Sequence, residues 1–115
     1  MQSKEDILEI VKAAHKALDD KFGQEITILD IGDISPLADY FIIATGMNPI
    51  ATDAMADACQ EACAKAGMML KRKEGIGTGW MLMDFGLIIV HIFDKEMRQF
   101  YDLERIWSDA RVVMI

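Results

Sequence analysis

The stretch from Gly79 to Phe93 restricts the folds open to this chain more than any other. It reads as two strands joined by a tight turn at Asp84-Phe85-Gly86. The second strand, Leu87-Ile88-Ile89-Val90-His91-Ile92-Phe93, is almost wholly apolar, as expected of a central strand covered on both faces. Its one polar member is His91. Alternation puts Leu87, Ile89, His91 and Phe93 on one face and Ile88, Val90 and Ile92 on the other, while Trp80, Leu82 and Asp84 share a face of the first strand. A two-residue connection at Phe85-Gly86 pairs Asp84 with Leu87, Leu82 with Ile89 and Trp80 with His91. Phenylalanine fits poorly where φ must be positive, so a three-residue turn with a bulge, which would shift that register, stays open.

The flanking sequence supplies the other layers. A first helix spans about residues 4–22: Ser3 caps it, Asp6 reaches back, and Ile7, Leu8, Ile10, Val11, Ala14, Leu18 and Phe22 form its buried stripe. Gly23 is the natural stop. His15, at the edge of that stripe, reads as a surface histidine. Strands follow at about residues 25–31 and 39–46, separated by the breaker Gly32-Asp33-Ile34-Ser35-Pro36. Asn48-Pro49 then starts a second helix, with a capping side chain followed by proline at the first helical position, and it runs to about residue 66. Its apolar face of Ile50, Ala51, Ala54, Met55, Ala58, Cys59, Ala62, Cys63 and Ala66 is mostly small, which lets a helix lie close on a sheet. Asp53, Asp57 and Glu61 form an acidic ridge, read as a solvated face. A third strand is placed at about residues 68–72. After the hairpin, Asp94 caps a short helix, about 95–100, and residues 101–110 form another helical turn or a packed tail. The order α-β-β-α-β-β-β-α describes one α/β domain over residues 1–115: a single open mixed sheet of five strands, with the first two helices on one face.

Charge and composition remove several function classes. The formal net charge is −7, which argues against nonspecific nucleic-acid binding and suits a basic protein partner. Residues 1–20 carry eight charged side chains, so no signal peptide is read, and no apolar run is long enough to span a bilayer. A cytoplasmic location is expected. Cys59 and Cys63 lie one helical turn apart, but no cysteine or clustered histidine completes a metal site, so they read as small buried residues. No cofactor is expected.

Several motifs resemble chemistry without completing it. Gly75-Ile76-Gly77-Thr78-Gly79 has the look of a phosphate loop but precedes a strand instead of opening a helix, and reads as a flexible connection. Lys71-Arg72-Lys73 is weak evidence for an RNA contact and equally a guard on a strand edge. His91, Asp84 and Asp94 invite an acid–base enzyme reading, yet alternation puts Asp94 across from His91 and no nucleophile stands near. Asp84-Phe85-Gly86 matches the kinase magnesium tripeptide in letters only, and the paired aspartates of a nucleotidyl transferase are missing.

Four separated segments, in order, carry a family resemblance: Asp39-Tyr40-Phe41-Ile42-Ile43-Ala44-Thr45-Gly46; Trp80-x-Leu82-x-Asp84-Phe85-Gly86; Val90-His91-Ile92-Phe93; and Phe100-Tyr101-x-Leu103-Glu104-Arg105-Ile106-Trp107-x-Asp109-Ala110. Together they resemble the ribosomal silencing factor family, also called Iojap-related proteins, over nearly the whole chain. The resemblance implies a nucleotidyltransferase-like α/β fold without working catalysis. It also implies binding to protein fourteen of the large ribosomal subunit, which blocks joining of the small subunit and represses translation when nutrients are scarce. Two departures stand out: Leu87 replaces an acidic residue after the turn, and Met47-Asn48-Pro49-Ile50-Ala51 replaces a polar stretch with an arginine.

An acidic protein without a complete active site acts by contact, and opposite potentials would steer it to a basic ribosomal protein. Interfaces concentrate their energy in a few tryptophan, tyrosine and arginine residues. The expected contact set is Trp80, Asp84, His91, Tyr101, Arg105 and Trp107, on a sheet face left partly open by the helices. Trp80 anchors it, Asp84 pairs with a partner cation, and His91 and Tyr101 supply hydrogen bonds; for Trp107 a core position is preferred. A homodimer would suit an open sheet with edge strands. The alternative is a small acid–base or nucleotidyltransferase-like enzyme using His91 and Asp84.

Overall fold

Two apolar strands lie side by side at the centre of the computed structural model, which describes residues 3–115. β2 (Tyr40–Thr45) and β5 (Ile88–Phe93) run parallel, with Tyr40 opposite Ile88 and Thr45 opposite Phe93. All of β2 is buried, as is all of β5 except half-buried Ile89. Such strands need cover on both faces, which is why their sequences do not alternate.

β1 (Gln24–Asp30) pairs antiparallel with the free side of β2, and β4 (Trp80–Asp84) with the free side of β5. β3 (Arg72–Glu74) and β6 (Arg111–Val112) form the edges, so the order is β3-β4-β5-β2-β1-β6. The sheet is open and mixed as expected, but it has six strands and not five. The extra strand, β6, is too short to show a period. It is drawn to β1 by Arg111, whose Nη2 lies 2.8 Å from the buried Asp30 carboxylate. β3 also lies later than residues 68–72: Met68 is buried among the helices, and pairing with β4 begins at Arg72 opposite Asp84.

α1 (Lys4–Asp20) and α2 (Pro49–Lys65) cover one face, as the apolar stripes require. The expected capping box is present, with Ser3 Oγ accepting from the Asp6 amide and Asp6 Oδ2 from the Ser3 amide. Asn48 Oδ1 accepts from the Ala51 amide at 2.8 Å. Val11, Leu18, Met55, Cys59 and Cys63 pack on Ile42, Met83, Val90 and Ile92. Three ends of the predicted stripes stay outside, Phe22 on α1 and Ile50 and Ala66 on α2. α1 stops at Asp20 because the Gly23 amide takes the Leu18 carbonyl, and Phe22 is left-handed and exposed. Ile50, in the first turn of α2, also points to solvent.

The other face is covered by the C-terminal segment, α3 (Lys95–Tyr101) and α4 (Leu103–Ile106). Leu103 and Trp107 pack there against Leu29, Ile31, Phe41 and Ile43. One buried cation ties this segment down. Arg98 Nε and Nη2 donate to the two Glu104 oxygens at 3.3 and 3.1 Å. Nη1 donates to Thr45 Oγ1 at 3.0 Å and Nη2 to Thr27 Oγ1 at 3.2 Å, so a single guanidinium joins α3, α4, β1 and β2. Planar geometry and five donors suit arginine to this role.

Asp30 plays the same part on the other side of β1. Lys4 Nζ, Arg111 Nη2 and the Gly32 amide all donate to its carboxylate. Burial pushes the Asp30 carboxyl up, but these donors outweigh it and hold the group below its ordinary value.

Replacing Arg98 tests the clamp. Arg98→Met removes the charge-assisted bonds and strands the Thr45 hydroxyl in the interior. The expected loss is about 1–3 kcal/mol of stability by urea unfolding. Hydrogen exchange in residues 95–110 should rise before that of β2 and β5. Equal protection in parent and variant would show that the clamp does not hold the segment.

Candidate functional site

The hairpin register departs from the two-residue alternative at Phe85-Gly86. Asp84 pairs with Ile89, Leu82 with His91 and Trp80 with Phe93. The connection is Gly86-Leu87, with the Phe85 amide bonded to the Ile88 carbonyl and Gly86 at φ +95°. Glycine thus takes the positive φ that Phe85 would resist. The shift is by two residues, so every side chain keeps its face. Trp80 now stacks on Phe93, with ring centroids 5.1 Å apart, and reaches His91 diagonally.

Trp80 Nε1 donates to His91 Nδ1 at 3.1 Å. An indole only donates, so His91 is the tautomer protonated at Nε2. That nitrogen is buried without a hydrogen-bond partner among the described residues. Burial pushes the His91 pKa down to about 4. The ring packs edge-on to Phe41 at 4.7 Å. His91 therefore holds Trp80 from behind, and at 3% exposure it offers no hydrogen bond to a docking partner.

Tyr101 packs on the other side of Trp80 at 4.5 Å, and Phe100 meets Tyr101 edge-on at 5.1 Å. Phe41 meets Trp107 at 5.1 Å. A continuous aromatic run thus crosses the face from exposed Phe100 and Tyr101, through half-buried Trp80 and buried His91 and Phe41, to half-buried Trp107. Four of the six sequence-chosen residues belong to it. Between β4 and α3 lies a groove of about 320 Å³ walled by Trp80, Leu82, Met97 and Tyr101.

Asp84 and Arg105 lie outside the run. Asp84 Oδ2 takes Arg72 at 3.1 Å and Oδ1 takes the Gly86 amide at 2.7 Å, so within the chain its carboxylate is already paired with a cation. Arg105 is exposed on α4. Sequence reasoning missed Phe100, which is 78% exposed beside the groove, and the groove residues Leu82 and Met97. A phenylalanine at the solvent-facing end of a short helix was the available signal.

The three residues named for the acid–base alternative are all hydrogen-bonded within the chain. His91 is bonded to an indole, Asp84 is held by Arg72 and Gly86, and Asp94 Oδ1 caps α3 through the Met97 amide. No helix among the described residues is long and apolar enough to cross a membrane.

The α/β body thus carries an aromatic face, and the candidate catalytic groups take part in hydrogen bonds within the chain. The chain is a member of the ribosomal silencing factor family: the family model described as "Ribosomal silencing factor during starvation" matches residues 4–115. It is 38% identical over 102 residues to the ribosomal silencing factor of Bacillus subtilis (strain 168), covering 88% of this chain and 86% of that one. A crystal structure from Chromobacterium violaceum superposes with a TM-score of 0.84 at 34% identity, over 89% of this chain and 86% of the other. One from Bacillus halodurans gives 0.80 at 31% identity, over 94% and 99%.

The pH dependence of His91 follows from its burial. With the folded pKa below the ordinary 6.5, the unfolded chain takes up the proton first. The contribution is complete above pH 6.5 and is lost as pH falls through about 4. Parent protein should lose about 2 kcal/mol from this group between pH 7 and 5. His91→Gln, which can still accept from Trp80, should not show that component in urea titrations. Parallel loss in both proteins would remove His91 as the source.

Proposed function

We propose that this protein represses translation by docking through its aromatic face on the large ribosomal subunit, at protein fourteen, and standing where the small subunit must join. Family membership supports the ribosomal target. The observation that carries the docking face is the aromatic run, with Trp80 buttressed by His91 and Tyr101 beside an open groove. Steric blocking needs no chemistry, so the reading includes no catalytic step. The net charge of −7 complements a basic ribosomal protein and makes direct contact with RNA minor. The working location is the cytoplasm, and a second copy of the chain is a competing occupant of the same face.

Within this reading, Trp80 and Tyr101 make the central contacts and Arg105 lies at the rim. His91 positions Trp80, and Trp107 supports the face through Phe41. Asp84 reaches a partner cation only by exchanging Arg72, which is 65% exposed and free to move aside.

The test is cosedimentation with purified large subunits, with folding followed by circular dichroism. Trp80→Ala and Tyr101→Ala should each weaken binding by about thirtyfold, equivalent to about 2 kcal/mol. Asp84→Lys should weaken it by a similar factor through charge reversal. If the variants fold and bind as the parent does, the face is wrong. Tyr101, already 39% exposed, keeps the test valid should Trp80→Ala unfold.

A further inference from the structure

We propose that the crevice beyond the carboxyl ends of β2 and β5 binds a small organic cation, an amine or guanidinium group on an apolar stem. β2 and β5 are parallel neighbours whose connections leave in opposite directions. β2 leads into α2 on one face, and β5 leads into α3 on the other. Diverging connections of this kind open a crevice in α/β sheets, and ligands collect there. Here it measures about 500 Å³, within the range that takes a small molecule.

Its lining decides the sign of the ligand. Asp53 projects from α2 and Asp94 from the start of α3, while Trp80, Met47 and Ile76 supply apolar wall and Thr52 a hydroxyl. No lysine, arginine or histidine lines it among the described residues. The start of α2 offers an anion little. Pro49 has no amide proton, the Ala51 amide is bonded to Asn48 Oδ1, and the Thr52 amide to the Asn48 carbonyl. An anion would therefore meet two carboxylates and few free donors, whereas a cation meets opposite charges on two separate elements beside an indole.

The loop closes on one of those carboxylates. The Asp94 amide donates to the Gly79 carbonyl at 2.9 Å. Asp94 Oδ1 is used by the Met97 amide, and Oδ2 lies where a Cβ on Gly79 would come within 2.5 Å. Gly79, at φ +86°, is what lets the loop sit against the charged oxygen. Concave shape, modest volume and an apolar wall suit a free small molecule over a folded partner. Trp80 also walls the docking groove, so occupancy of the crevice would act on the anchor of that face. This last consequence rests on the docking reading; the binding itself does not.

Trp80 provides the readout. In Trp107→Phe protein it is the sole tryptophan, and agmatine or spermidine at matched ionic strength should change its fluorescence saturably. Half-saturation is expected at about 0.1–1 mM. Asp53→Asn and Asp94→Asn should each weaken binding by about tenfold. Asparagine caps helices as aspartate does, so the second variant removes charge and leaves α3 started. Sulfate and adenosine monophosphate, the anionic probes, should give no saturable change. Equilibrium dialysis of labelled spermidine against the parent chain gives the same answer without the Trp107 substitution. No saturable binding up to about 10 mM, unchanged affinity in both asparagine variants, or preferential binding of the anions would each overturn the proposal. Because ribosomes are absent from the titration, its outcome stands apart from that of cosedimentation.

Discussion

The parallel pairing of β2 with β5 is the contact on which the rest of the structure depends. It places two apolar strands at the centre, where both faces must be shielded from water. One face receives α1, which buries mainly branched aliphatic side chains, and α2, whose small and sulfur-containing side chains let it lie close. The other receives the short C-terminal helices. Parallel strands cannot be joined by a tight turn, so the chain must travel through α2, β3 and β4 between them. The same topology sends the two outgoing connections to opposite faces and opens the crevice at their ends.

The buried charged residues among the described residues, Asp30 and Arg98, are both compensated. Arg98 fastens the C-terminal segment to β1 and β2, and Asp30 draws the ends of the chain toward β1 through Lys4 and Arg111. Apart from the Arg98–Glu104 pair, six residues apart, these contacts cross long separations in sequence, and they satisfy polar groups that would otherwise be buried without a partner. His91 is the exception. Its Nε2 has no hydrogen-bond partner among the described residues, beside Trp80 at the centre of the aromatic run. Local disfavour of that kind often accompanies a working surface.

Much of this was legible in the chain itself. The apolar runs of β2 and β5, the cap at Ser3, the Asn48-Pro49 start and the face shared by Trp80 and His91 all followed from local patterns. Those signals depend on periods of 2 and 3.6 residues and on capping chemistry, which act within a few positions. Strand β6 was not legible, because two residues carry no period. Nor was the hairpin register, which rested on whether Phe85 or Gly86 took the positive φ.

The sequence by itself determined the α/β class, the burial of the central strands, the helices that cover one face and, through four ordered motifs, the family. Tertiary structure alone decided which charged groups face inward, that His91 supports Trp80 from the interior, and that Phe100 and Tyr101 emerge beside the groove. The division has a physical cause. Backbone geometry and alternation are short-range and recur along the chain. The Thr27 and Thr45 partners of Arg98 and the Lys4 and Arg111 partners of Asp30 come together only when the sheet and its covering helices assemble, and no local pattern records them.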